Sequence, residues 1–190
     1  MTFTPLETTA VLLIALNVWL AIRENIWTWP TGIAGVILYT IINYETKLYA
    51  NAVLQIFYLV LSIHGWYEWL HGGVNKTELH VRRTTPRQWI GCTIASVVLT
   101  VIIVAILRWT HDEQPLLDGS TTAISFVGQW MLNEKLLENW WLWLLVDIAY
   151  VPMYLTVHKL LTALLYAGFC VMCIVGLLQW KKSLVSHASA

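Results

Sequence analysis

Seven apolar stretches fill most of this 190-residue chain, and they leave little room for a water-soluble globule. A helix that spans a bilayer needs about 20 mostly apolar residues. The candidates run from about Leu6 to Ile22, Trp27 to Asn43, Leu48 to Leu70, Trp89 to Trp109, Thr121 to Asn133, Trp140 to Thr156 and Leu160 to Trp180. The fifth is the shortest and weakest. The composition agrees: 58% of the residues are hydrophobic and 12% charged, where a soluble domain carries about a quarter charged residues. So large an apolar surplus cannot be buried in so small a globule, and lipid is the solvent that accommodates it. The expectation is an all-α integral membrane protein with seven transmembrane helices.

The connections are short except for the polar stretch from His71 to Gln88, so residues 1–190 read as one transmembrane domain. The first apolar run lacks a preceding basic region and a small-residue cleavage site, and reads as a retained helix. With seven spans, one side carries Lys47, Arg108 and Lys159. The other carries Arg23, Lys76, Arg82, Arg83, Arg87, Lys135, Lys181 and Lys182. The positive-inside rule then puts the C-terminus in the cytoplasm and the N-terminus outside. A net charge of zero gives no basic patch for nucleic acid. Cys92, Cys170 and Cys173 lie in apolar stretches and read as buried, inert thiols rather than metal ligands.

The chain contains an apparent internal repeat. Glu24-Asn25-Ile26-Trp27-Thr28-Trp29 opens the second stretch and Glu138-Asn139-Trp140-Trp141-Leu142-Trp143 the sixth. The same ungapped register places Trp66 against Trp180. A three-helix unit ends on the membrane face opposite its start, so a second unit in the same orientation requires an intervening helix. The plan expected is 3+1+3: repeat one at about 6–70, a linker helix at about 89–109 and repeat two at about 121–180. Parallel repeats related by an axis along the membrane normal occur in transporter folds, with the substrate site near the midplane.

Asp147 is the most informative residue. It lies about 10–12 Å into its helix, where an acidic side chain costs about 2.5–3.5 kcal/mol on insertion scales. A polar cavity or a bound cation would offset that cost. Trp140, Trp143 and Asp147 fall at i, i+3 and i+7, on one helical face. Two indoles and a carboxylate make a clamp for a flat, positively charged ring, with cation–π contact adding about 0.5–2 kcal/mol per ring. Alternatively, the indoles are interfacial anchors and Asp147 pairs within the bundle. Gln129 with Ser125 one turn earlier, Gln55 with Asn51 one turn earlier, and Asn43 are further candidates, as substrate contacts or as interhelical polar glue. Pro152 is a candidate kink. His64 with Glu68, and His111-Asp112-Glu113, read as solvated or interfacial groups. No metalloprotease, nucleophile-elbow or phosphate-loop motif is present, and neither a metal nor a cofactor is expected.

These residues resemble a known family. Glu138-Asn139-Trp140-Trp141-Leu142-Trp143 followed by Asp147 is similar to the E-N-W-x-x-W-x-x-x-[N/D] element of the Pnu family of vitamin transporters. Leu48-Tyr49-Ala50, Leu54-Gln55 and Gly65-Trp66-Tyr67 followed by Trp69 are similar to the pattern of its first half. The resemblance covers about Asn25–Trp69 and Ser125–Trp180. It implies a SWEET-like fold, a homotrimer in the bacterial inner membrane, and facilitated diffusion with trapping by cytosolic phosphorylation. It implies no cofactor. By motif, substrate contacts carry over to Trp140, Trp143 and Asp147, and less directly to Gln55 and Gln129. Asp147 stands where the best-known members have Asn, and Ser62 stands where they have Asn three residues before G-W-Y. The substrates implied are nicotinamide riboside first and thiamin second, both flat cations. An integral-membrane enzyme and a non-transporting assembly subunit are the other classes the sequence leaves open.

Overall fold

A computed structural model describes residues 5–45, 47, 49–111, 113–156 and 158–188, and among these the chain forms seven α-helices and no strand. They are α1 (Pro5–Ile22), α2 (Thr28–Glu45), α3 (Tyr49–His71), α4 (Pro86–Trp109), α5 (Pro115–Asn133), α6 (Asn139–Thr156) and α7 (Leu160–Ala188). Leu48 and Asp112, both singled out by the sequence motifs, lie outside the described residues. The chain divides into two compact units, residues 1–80 and 81–190. In the first, α2 packs against both α1 and α3; in the second, α4 packs on α5, α5 on α6 and α6 on α7.

Helix boundaries follow local chemistry. Thr85 caps α4 through a capping box with Gln88, and Pro86 begins the helix, where its missing N–H costs nothing. Pro115 opens α5 in the same way. This helix therefore starts six residues before the expected Thr121, because Asp118, Gly119 and Ser120 hide the first turns from an apolar-run reading. At the other end of the chain, α7 continues past Trp180 through Lys181 and Lys182. Over α4 and over Leu160–Val185 the chain is apolar and long enough to cross a bilayer, yet few of these residues are buried in the protein. Ile90, Ile94, Val97 and Val101 all point outward from α4. At 1.5 Å per residue, 24 residues reach about 36 Å, enough for a hydrocarbon core of about 30 Å.

The two units share an internal geometry at a spacing of 111 residues. Thr28–Glu45 and Asn139–Thr156 begin and end at equivalent positions, as do the ends of α1 and α5 at Ile22 and Asn133 and the starts of α3 and α7 at Tyr49 and Leu160. The turns match at their described residues. Glu24 and Lys135 both have positive φ (52° and 47°), and so do Lys47 and His158 (61° and 56°). The Asn25 N–H donates to the Leu20 carbonyl and the Leu136 N–H to the Met131 carbonyl, each at 2.9 Å. Burial matches as well: Trp29 with Trp140, Ala52 with Ala163, Ser62 with Cys173 and Trp69 with Trp180 are all buried. Trp29 meets Trp69 edge-on at 5.2 Å, and Trp140 meets Trp180 edge-on at 5.4 Å.

This spacing corrects the register read from the sequence, which put Glu24 on Glu138 at 114 residues and Trp66 on Trp180. The turn conformation, set by Glu24 and Lys135, aligns Trp69 with Trp180. The identical Glu-Asn pairs sit three residues apart in the structural register.

Candidate functional site

The site begins at the α5–α6 turn. Lys135, at φ 47°, reverses the chain, and the segment before α4 pins this turn in place. Arg82 and Leu136 form an isolated parallel β-bridge: the Arg82 N–H donates to the Lys135 carbonyl (3.1 Å) and the Leu137 N–H to the Arg82 carbonyl (2.9 Å). The Arg82 guanidinium pairs with the Glu134 carboxylate. Glu138 accepts from the backbone N–H and the hydroxyl of Thr84, both at 2.8 Å. Asn139, fully buried, donates to the Leu136 carbonyl at 2.6 Å as α6 starts.

From that fixed start, α6 presents Trp140, Trp143 and Asp147 on one face. Trp140 is 3% exposed. It lies across Gly176, where a Cβ would come within 2.6 Å of its ring, and against Trp180. Its Nε1 has no hydrogen-bond partner among the described residues, and neither has that of the equivalent Trp29. Trp140 is thus packed against α7, while Trp143 is half-buried and rests its indole on Gly128 of α5, 3.5 Å from where a Cβ would stand. Asp147 sits about 12 Å along α6 and is 7% exposed. Its Oδ2 accepts from the Cys173 thiol of α7 at 3.4 Å. Among the described residues no group of three potential metal ligands occurs.

The remaining candidates divide between the units. On α5, Ser125 is buried, and half-buried Gln129 donates to Asn133 at 3.2 Å, one turn along its own helix. In the first unit, Asn51 is exposed on α3, Gln55 is half-buried one turn on, and Asn43 is half-buried near the end of α2. Pro152 lies inside α6 with its ring exposed. His64 and Glu68 form a 3.7 Å pair one turn apart on α3.

Two features escaped the sequence reading. Cys173, expected to be inert, is the partner of Asp147, a contact between α6 and α7 that no local pattern signals. The second is a tyrosine cluster that continues the Asp147 face. Tyr150 and Tyr154 lie three and seven residues beyond Asp147, and Tyr166 of α7 stacks on Tyr154 at 5.3 Å and 13°. Tyr150 shares a 3.0 Å hydrogen bond with Thr121 of α5. The i+3, i+7 spacing was visible in the sequence and would have found it.

Residues 4–182 match the model of the family described as nicotinamide mononucleotide transporter. The chain is 27% identical to the nicotinamide riboside transporter PnuC of Neisseria mucosa, over 83% of this chain and 64% of that protein. It therefore spans just under two thirds of that relative's length. It is 27% identical to the Escherichia coli PnuC, over 71% of this chain and 67% of that one. It is 24% identical to the riboflavin/roseoflavin transporter RibM of Streptomyces davaonensis, over 85% and 77%. The fold is similar to the crystal structure of the vitamin B3 transporter PnuC, with a TM-score of 0.77 and 26% identity over 96% of this chain and 83% of that one.

Proposed function

We propose, from the premise that this chain belongs to the nicotinamide mononucleotide transporter family, that it carries nicotinamide riboside across the bacterial inner membrane by facilitated diffusion. Phosphorylation in the cytosol would then retain the substrate. The observation that carries this reading is a buried carboxylate, Asp147, mid-way along α6 and one turn beyond a half-buried indole, Trp143. A permanently charged aromatic ring answers both: the carboxylate supplies the counter-charge and the indole a π-face. Trp140, one turn before Trp143 on the same helical face, is the second indole of the proposed clamp. Ser125 and Gln129 of α5 supply polar contacts to the amide and ribose.

The arrangement proposed is the 3+1+3, SWEET-like one: the equivalence at 111 residues supports a duplicated three-helix unit, with α4 restoring orientation. In this reading the N-terminus is outside, the C-terminus is cytoplasmic, and three copies assemble. Thiamin, also a flat cation, is the second substrate to test. The likeness to RibM favours riboflavin as a third, but its neutral ring would leave Asp147 unpaired, and an unpaired buried charge is costly.

Uptake of labelled nicotinamide riboside into liposomes containing the purified protein tests the reading. Saturable, ATP-independent equilibration is expected. Passage of riboflavin alone, or of none of the three vitamins, overturns it.

A further inference from the structure

We infer that Cys173 is a positioning residue for the Asp147 carboxylate and, through it, sets the selectivity of this transporter for cationic over neutral rings. The inference rests on the substrate reading above and adds to it a residue of α7 that no motif marks. Three observations carry it. First, the Cys173 thiol reaches Asp147 Oδ2 at 3.4 Å, and it is the one hydrogen-bond partner the carboxylate finds among the described residues. Second, both groups are buried, Cys173 at 3% and Asp147 at 7% exposure, so the contact is shielded from bulk solvent. Third, the position is structurally defined: Ser62 occupies the equivalent place on α3, three residues before Gly65 as Cys173 is three before Gly176, and it too is buried. Both units thus keep a small hydrogen-bond donor here. Only the second faces a carboxylate, because the residue equivalent to Asp147 is Val36.

A carboxylate on a two-torsion side chain can swing between rotamers. Tethering Oδ2 to α7 removes that freedom and leaves Oδ1 for the cation. A thiol suits this role because it is a weak donor. It orients the anion without neutralising it, so the charge remains available to the ring.

The test uses the full-length protein in detergent and two ligands of nearly equal shape, nicotinamide riboside and its reduced, uncharged form. Wild type should prefer the cation. Cys173→Ala should lower that preference about three- to tenfold, in line with loss of one weak charge-assisted hydrogen bond. Cys173→Ser, which keeps a donor, should retain it. In an Asp147→Asn background, Cys173→Ala should change nothing further. Equal weakening of both ligands by Cys173→Ala, or an unchanged effect in the Asp147→Asn background, overturns the inference while the substrate reading stands. Binding of neither ligand by wild type overturns both. A ligand-free readout covers the case of poor folding: the Cys173 S–H stretching band, assigned by its loss in Cys173→Ala, should lie below those of the other thiols and rise in Asp147→Asn. An unmoved band refutes the hydrogen bond itself.

Discussion

The α1–α2 and α5–α6 hairpins solve the same crossing in opposite ways. In the first, Asn17 on the leading helix lies over Gly32 on the following one, its amide donating to the Thr28 carbonyl (2.5 Å) and hydroxyl (2.9 Å). In the second, the equivalent residues are Gly128 and Trp143, so the small residue has moved to the leading helix and the large one to the following helix. One pair closes the crossing with a polar side chain. The other opens a flat seat on which an indole rests. The surroundings diverge in step: Val36 becomes Asp147, Ser62 becomes Cys173, and the second turn gains the Arg82–Glu134 and Thr84–Glu138 ties. A common backbone is thus used once for packing and once for a charged, aromatic face. The carboxylate and indole proposed to meet the substrate both lie in the second unit.

Substitutions at the glycines should break this comparison most severely. Gly176→Leu places a branched side chain where even a Cβ would meet the Trp140 ring at 2.6 Å. Overpacking of this kind costs about 1–3 kcal/mol or more, and a lost or strongly lowered melting transition in detergent is expected. Gly32→Ala should also destabilise, because Asn17 Nδ2 stands 2.7 Å from the new methyl and is held there by Thr28. Its mirror, Gly128→Ala, should be close to neutral in thermal melting, since the indole lies at ordinary contact distance, 3.5 Å. Equal effects at the two glycines would contradict the swapped crossing.

The ties around the second turn sharpen the comparison at a smaller scale. Glu138→Ala removes an acceptor that serves both the N–H and the hydroxyl of Thr84, and should lower stability by about 1–2 kcal/mol. Arg82→Ala should cost less, about 0–1 kcal/mol, because the arginine side chain is 47% exposed and salt screens the pair. Melting curves at low and high salt separate the two: Arg82→Ala should lose most of its effect in salt, and Glu138→Ala, which removes the Thr84 hydrogen bonds as well as a 3.9 Å pair with Arg83, should keep most of its own.

How much of this was legible in the sequence depended on the range of the signal. Hydropathy alone located all seven helices, because each must present apolar surface along its length. It missed the first turns of α5, where Asp118 and Gly119 interrupt the pattern, and the last turns of α7, where Lys181 and Lys182 follow Trp180. The repeat register was misread because identity was sought in side chains. The two units are matched instead through positive-φ residues of different type, Glu24 and Lys135, and through edge-on tryptophan pairs. Asp147 stood out as a charge deep in an apolar run. Its partner Cys173 did not, since a cysteine in an apolar helix is ordinary until the facing helix is known. The burial of Trp140 was equally hidden: Trp140 and Trp143 look alike in a W-x-x-W motif, and only the glycine beneath each separates them.

Equilibrium titration of the purified protein with nicotinamide riboside, thiamin and riboflavin, repeated on Asp147→Ala, measures the charge complementarity on which the account depends. Loss of a charged hydrogen-bonding partner should weaken binding of the cation about ten- to a hundredfold, with riboflavin unaffected or improved. An unchanged dissociation constant for the cation would contradict it.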